Sequence, residues 1–161
     1  FYYLPDSDLF VLGGSAGVTF FSPSNNSEQT VPSLSANTGI ERVLPWSNGK
    51  TLGLTSTGII EAFSTTGSVQ HPLPYRVYDM ELSNLGLALC GRGAAGSALH
   101  FADTDLLELG SFPVSNPDLF ALHVGVDFAG YVLAGVEMNG PTPRPGVRSY
   151  YRLVDNSAAS G

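Results

Sequence analysis

The sequence predicts an all-β protein built from about four successive four-stranded antiparallel units. Three observations carry this expectation. A glycine-to-aromatic pattern recurs with a period of about 40 residues, and short apolar runs alternate with turn-forming residues along the whole chain. The third is charge: only 13% of the 161 residues are charged, too few to solvate the outer faces of several helices, while 19 glycines and 11 prolines supply turns.

The repeat is anchored by four segments: Gly17 to Phe21, Gly58 to Phe63, Gly96 to Phe101 and Gly146 to Tyr151. Each reads as a strand entered through a glycine and closed on an aromatic, and the glycines lie 41, 38 and 50 residues apart. An apolar run precedes each anchor: Leu9 to Leu12, Thr51 to Leu54, Leu87 to Cys90 and Tyr131 to Ala134. Before these runs stand chain-reversing clusters, Asp6 to Asp8, Ser47 to Gly49, Ser83 to Gly86 and Asp127 to Gly130. Ahead of the clusters lie further extended stretches, Phe1 to Leu4, Glu41 to Trp46, Val77 to Leu82 and Leu119 to Val126. Three units add a fourth piece after the aromatic: Gln29 to Leu34, Val69 to Leu73 and Leu107 to Val114.

A lone four-stranded meander cannot cover both of its faces, and radial stacking of such units solves that problem. The stretch from Trp46 to Leu89 resembles the WD40-like β-propeller repeats, and the resemblance extends over residues 1–155. No unit carries the Gly-His or Trp-Asp pairs of the strict WD40 signature, so the likeness is to the superfamily pattern. It implies a β-propeller-like arc with approximate units 1–37, 38–75, 76–117 and 118–155, followed by a polar tail at 156–161. The last unit lacks a fourth strand and the chain opens abruptly on Phe1-Tyr2-Tyr3-Leu4. A piece of a larger propeller of about six to eight blades is therefore preferred to a closed four-bladed ring. A β-trefoil, which needs three such units, is the other alternative.

Two catalytic motifs fall inside this repeat. Gly91-Arg92-Gly93-Ala94-Ala95-Gly96 matches the dinucleotide fingerprint, which requires a helix at its end to meet a pyrophosphate. Gly13-Gly14-Ser15-Ala16-Gly17 matches a nucleophile elbow, which also needs a following helix. In both places the repeat predicts a turn and then a strand, so neither a nucleotide nor a serine nucleophile is expected. His71, His100 and His123 fall in different units without metal-ligand spacing, and Asp103, Asp105 and Glu108 read as a solvated turn. Trp46 is expected in a strand, and Cys90, alone in the chain, as a buried inert thiol at a strand end. No cofactor, metal or catalytic residue is expected.

A net charge of −7 opposes phosphate neutralisation, so nucleic acid is not an expected partner, and no apolar run approaches the roughly 18 residues of a membrane span. The single cysteine favours cytoplasm or nucleus slightly, although Asn25-Asn26-Ser27 is a formal glycosylation acceptor that suits secretion. The turns at Ser15-Ala16, Ser56-Thr57, Gly91 to Ala95 and Met138 to Pro145 are expected along one rim. There Arg92, Met138, Asn139, Pro141, Pro143 and Arg144 are the candidate partner-binding residues, because proline stiffens the last loop and Arg and Met are enriched at interfaces. The expected function is a non-catalytic scaffold for protein–protein interaction in a larger assembly, its partner a protein or the remaining blades. A secreted or virion-surface lectin-like module and a fragment of a propeller enzyme are the alternatives.

Overall fold

The computed structural model describes residues 1–113, 119–126, 132–138 and 149–152. They form fifteen strands and two short 3-10 turns, and the strands fall into four antiparallel sheets in chain order. The chain divides into two compact units, Phe1–Pro74 and Tyr75–Gly161.

The first unit holds two sheets of simple up-and-down order. Strands β1 (Tyr2–Leu4), β2 (Leu9–Gly14), β3 (Gly17–Ser22) and β4 (Ser27–Pro32) make the first; β5 (Ile40–Pro45), β6 (Thr51–Thr55), β7 (Ile60–Ser64) and β8 (Gly67–His71) make the second. Side chains from both sheets share one core. Val11, Val18, Phe20 and Val31 of the first pack with Ile40, Val43 and Phe63 of the second, all buried. Tyr2 and Thr51 join their hydroxyls across the same seam.

In the second unit, β9 (Tyr75–Ser83), β10 (Gly86–Gly93), β11 (Gly96–Ala102) and β12 (Glu108–Pro113) form a third four-stranded sheet of the same order. The described residues of the fourth sheet supply three strands, β13 (Leu119–Val126), β14 (Val132–Met138) and β15 (Ser149–Arg152). All-β architecture in successive antiparallel meanders is the fold class that the repeat predicts.

Burial is graded across each four-stranded sheet. All five residues of β6 are buried, as are Leu87 to Gly91 of β10, so these strands are covered on both faces. The outermost strands β4 and β12 are almost wholly exposed. Within each of these sheets the inner strands therefore supply most of the buried side chains and the last strand faces solvent. Leu87, Leu89 and Phe101 lie in the core, as the sequence predicts.

The repeat glycines have a backbone reason. Gly17, Gly58 and Gly96 adopt φ of 133°, 83° and 101°, a region that side chains disfavour, and each lies at or beside the entrance to a third strand. Gly146 lies outside the described residues.

Three local expectations are corrected. Gly91 to Gly93 belong to β10, and only Ala94 and Ala95 form the loop, because Gly93 and Gly96 pair directly as the last rung of the hairpin. Cys90 consequently stands in the middle of the strand, not at its end. Trp46 follows β5 instead of lying in it, its backbone N–H donating to the Lys50 carbonyl at 2.8 Å to close the turn.

Candidate functional site

The rim expected from the repeat takes shape within the first unit around Gly39. The Ser56 backbone N–H donates to the Gly39 carbonyl at 3.0 Å. A side chain begun at Gly39 would lie 3.5 Å from the Ser15 backbone, so the β2–β3 turn, the β4–β5 connection and the β6–β7 turn converge.

Beneath that connection lies the most heavily bonded side chain among the described residues. Glu61, in β7, is fully buried. Its Oε1 accepts the hydroxyls of Ser33 (3.0 Å) and Ser35 (2.8 Å), the Ser35 N–H (3.0 Å) and the Gln70 amide (3.0 Å). Oε2 accepts the Leu34 N–H at 3.1 Å. Burial pushes this carboxyl up, but the bonds from Gln70, Ser35, Leu34 and Ser33 outweigh it and hold the pKa below its ordinary value. The carboxylate serves as an acceptor that fixes residues 33–35.

Asp79 fills a related role in the second unit. On β9 and buried, it accepts the Val124 backbone N–H of β13 at 3.1 Å through Oδ2, and the Met80 N–H at 2.9 Å through Oδ1. One carboxylate thus ties the third sheet to the fourth. Cys90 lies opposite Asp79 in the ladder, and burial, reinforced by that negative charge, pushes its thiol up to about 12. A thiol in that state is a poor nucleophile at neutral pH.

Gly91 shows why glycine is needed inside β10. A Cβ there would fall 2.4 Å from the ring of Tyr75, which stacks on His100 with centroids 3.8 Å apart and planes 8° from parallel. Burial, with Glu108 adding to it, drives the Tyr75 phenol up to about 12. His100 Nδ1 sits 3.4 Å from Glu108 Oε2; burial lowers its pKa and the carboxylate opposes that shift. The backbone glycine, the ring and the imidazole form one packed stack.

Of the sequence-predicted partner-binding residues, Arg92 and Met138 fall within the described strands. Arg92 lies in β10, half-buried, facing Arg76 and Ser97 on its two neighbouring strands, and so belongs to the ladder instead of an exposed turn. Met138 ends β14, paired with Leu119. Asn139, Pro141, Pro143 and Arg144 lie outside the described residues. Ser15 occupies an exposed two-residue turn between strands, the surroundings of a hairpin and not of a nucleophile elbow. His71, His100 and His123 occupy three different sheets. Among the described residues no group of His, Cys, Asp and Glu is placed to hold a metal, and no helix is long and apolar enough to cross a membrane.

Glu61 and Asp79 did not stand out in the sequence. The available signal was a lone acid in an otherwise uncharged strand, Ile59-Ile60-Glu61-Ala62-Phe63, where a solvated carboxylate would waste an interior position.

No protein-family model and no curated protein matches the chain. Solved structures do. The chain is similar in fold to the extracellular domain of a protein described as a one component system from B. thetaiotaomicron, at 14% identity and a TM-score of 0.55. It covers 83% of this chain and 19% of that one. A protein of unknown function from Bacteroides caccae is similar at 14% identity and a TM-score of 0.51, covering 88% of this chain and 57% of that one. The likeness is one of fold. The chain spans about a fifth of the first structure's length and a little over half of the second's.

Proposed function

We propose that this chain is a non-catalytic segment of a WD40-like propeller, acting as an extracellular scaffold that presents its loops to a protein partner. The observation that carries the reading is the use made of the ionisable side chains. Glu61 is committed to five donors in a connection, Asp79 to a neighbouring strand, and His100 to a ring stack. Residues that could do chemistry are invested in holding sheets and connections in place, as a rigid presenting surface requires.

Two facts support the extracellular setting, in place of the intracellular one that the single cysteine favours. One similar structure is an extracellular domain. In addition, the Asn25 acceptor lies exposed in the β3–β4 turn, its side-chain carbonyl taking the Ser27 hydroxyl at 3.0 Å.

The test is purification of the native protein that contains this segment, from its own surface fraction, with cross-linking to retain partners. A stoichiometric protein partner, lost when residues 139–145 are replaced by a short Gly-Ser turn, is the expected result. Saturable binding on a glycan array without any protein partner would overturn the scaffold reading in favour of a lectin.

A further inference from the structure

One end of the third sheet differs from the corresponding ends of the first two. There the β9–β10 turn and the β11–β12 loop lie side by side, and Leu85, Leu107 and Leu109 are 43%, 65% and 61% exposed. Leu109 Cδ1 lies 3.6 Å from the position a side chain would take at Gly86, which brings β12 against the β9–β10 turn. In the first two sheets the same turns read Pro5-Asp6-Ser7-Asp8, Pro23-Ser24-Asn25-Asn26, Trp46-Ser47-Asn48-Gly49-Lys50 and Thr65-Thr66, with no leucine and no apolar side chain beyond proline and the half-buried Trp46. The repeat thus supplies its own control: the architecture does not require leucines at this end.

The loop is also built to present them. Asp103 Oδ1 accepts the N–H groups of Asp105 and Leu107, both at 2.9 Å, and the Asp103 N–H donates to the Leu107 carbonyl at 3.0 Å. Leu106 takes a left-handed φ of 62° and is buried while Leu107 points out. A non-glycine residue is disfavoured there, so the surrounding bonds and the buried Leu106 must hold the geometry in place. Leu109 is the extra residue of a β-bulge, since Phe101 pairs with Gly110 and Ala102 with Glu108. Asp103, Asp105 and Glu108 border the leucines with negative charge.

We propose that this end of the third sheet, Leu85, Leu107 and Leu109 within their acidic border, is a docking surface for a protein segment that carries apolar side chains flanked by lysine or arginine. The inference rests on the scaffold reading and gives it a place on the molecule. Apolar contact supplies the affinity, and the border selects basic segments while repelling acidic ones and anionic membranes.

The probes are two fluorescein-labelled short peptides, one alternating leucine with lysine and the other leucine with glutamate, titrated into the whole chain by fluorescence anisotropy. The lysine peptide should bind saturably, more weakly in high salt, and the glutamate peptide should not. Replacing all three leucines by serine should lower the affinity at least about tenfold with an unchanged melting profile, because the side chains are exposed. Asp105→Asn with Glu108→Gln should weaken the lysine peptide and reduce its salt dependence. Equal affinity in the serine variant, or equal binding of both peptides, overturns the proposal. So does a wild-type dimer that the serine variant abolishes, or sedimentation with phosphatidylserine vesicles that it abolishes. Should the serine variant misfold, the charge-neutralised variant decides alone. A native partner retained by the serine variant removes this surface but leaves the scaffold reading standing, whereas the absence of any protein partner removes the scaffold reading whatever the peptides do.

Discussion

Glu61 and Asp79 are both buried acids on strands, yet they solve different problems. Glu61 reaches out of its sheet to a connection and gathers five donors, three of them from the side chains of Ser33, Ser35 and Gln70. Asp79 reaches another strand and takes a backbone N–H there, at Val124. The first arrangement stabilises an irregular segment that has no ladder of its own; the second adds one rung between sheets already backed by buried apolar residues. A connection without regular pairing must find partners for its N–H groups elsewhere, and in the first unit one carboxylate supplies them.

The sharpest way to break this contrast is Glu61→Ala. It strands the Leu34 and Ser35 N–H groups together with two hydroxyls and an amide, and should cost about 3–5 kcal/mol in urea unfolding followed by a probe in the first unit. A loss below about 1 kcal/mol would show that the connection finds other acceptors or water. Asp79→Ala should cost less, about 1–3 kcal/mol, because one inter-strand N–H is orphaned while the apolar contacts remain. Reversal of that order would mean that the sheet seam, not the connection, depends more on its acid.

The smallest effect is one of pH. The folded Glu61 pKa lies below its unfolded value, so the unfolded chain takes up the proton first as pH falls. The stabilisation is therefore complete above the unfolded pKa of about 4.3 and disappears as pH drops through the lower folded value. Glu61→Gln keeps an acceptor oxygen but cannot titrate; its stability should be lower at neutral pH and flatter on acidification. Parallel acid curves for the two proteins would remove Glu61 from the pH dependence.

Much of the fold could be read from the sequence because its determinants are local and repeated. A left-handed glycine, an alternating strand and an aromatic close recur at Gly17, Gly58 and Gly96, and each is a backbone or one-strand property visible in a short window. The strand boundary at Gly91 was not legible, because a glycine triplet signals a turn equally whether it supplies positive φ or makes room for a ring. Only the position of Tyr75, distant in the chain, decides that. Glu61 was missed for the same reason: its partners at 33–35 lie in a different sheet's connection, and no periodicity links them. The rim residues are the least legible, since Arg92 was placed by hairpin register, and register shifts with a single bulge at Cys90 and Gly91.

The bulge at Leu109 has a further effect on how copies of this molecule coexist. An outer strand with exposed leucine and phenylalanine side chains is the kind of edge onto which another chain adds a strand, and from which aggregates grow. An extra residue in β12 interrupts its ladder and increases its twist, so a straight incoming strand cannot stay in register along it. The same irregularity that turns Leu109 outward thus protects solubility, letting an apolar surface stay exposed without becoming a template.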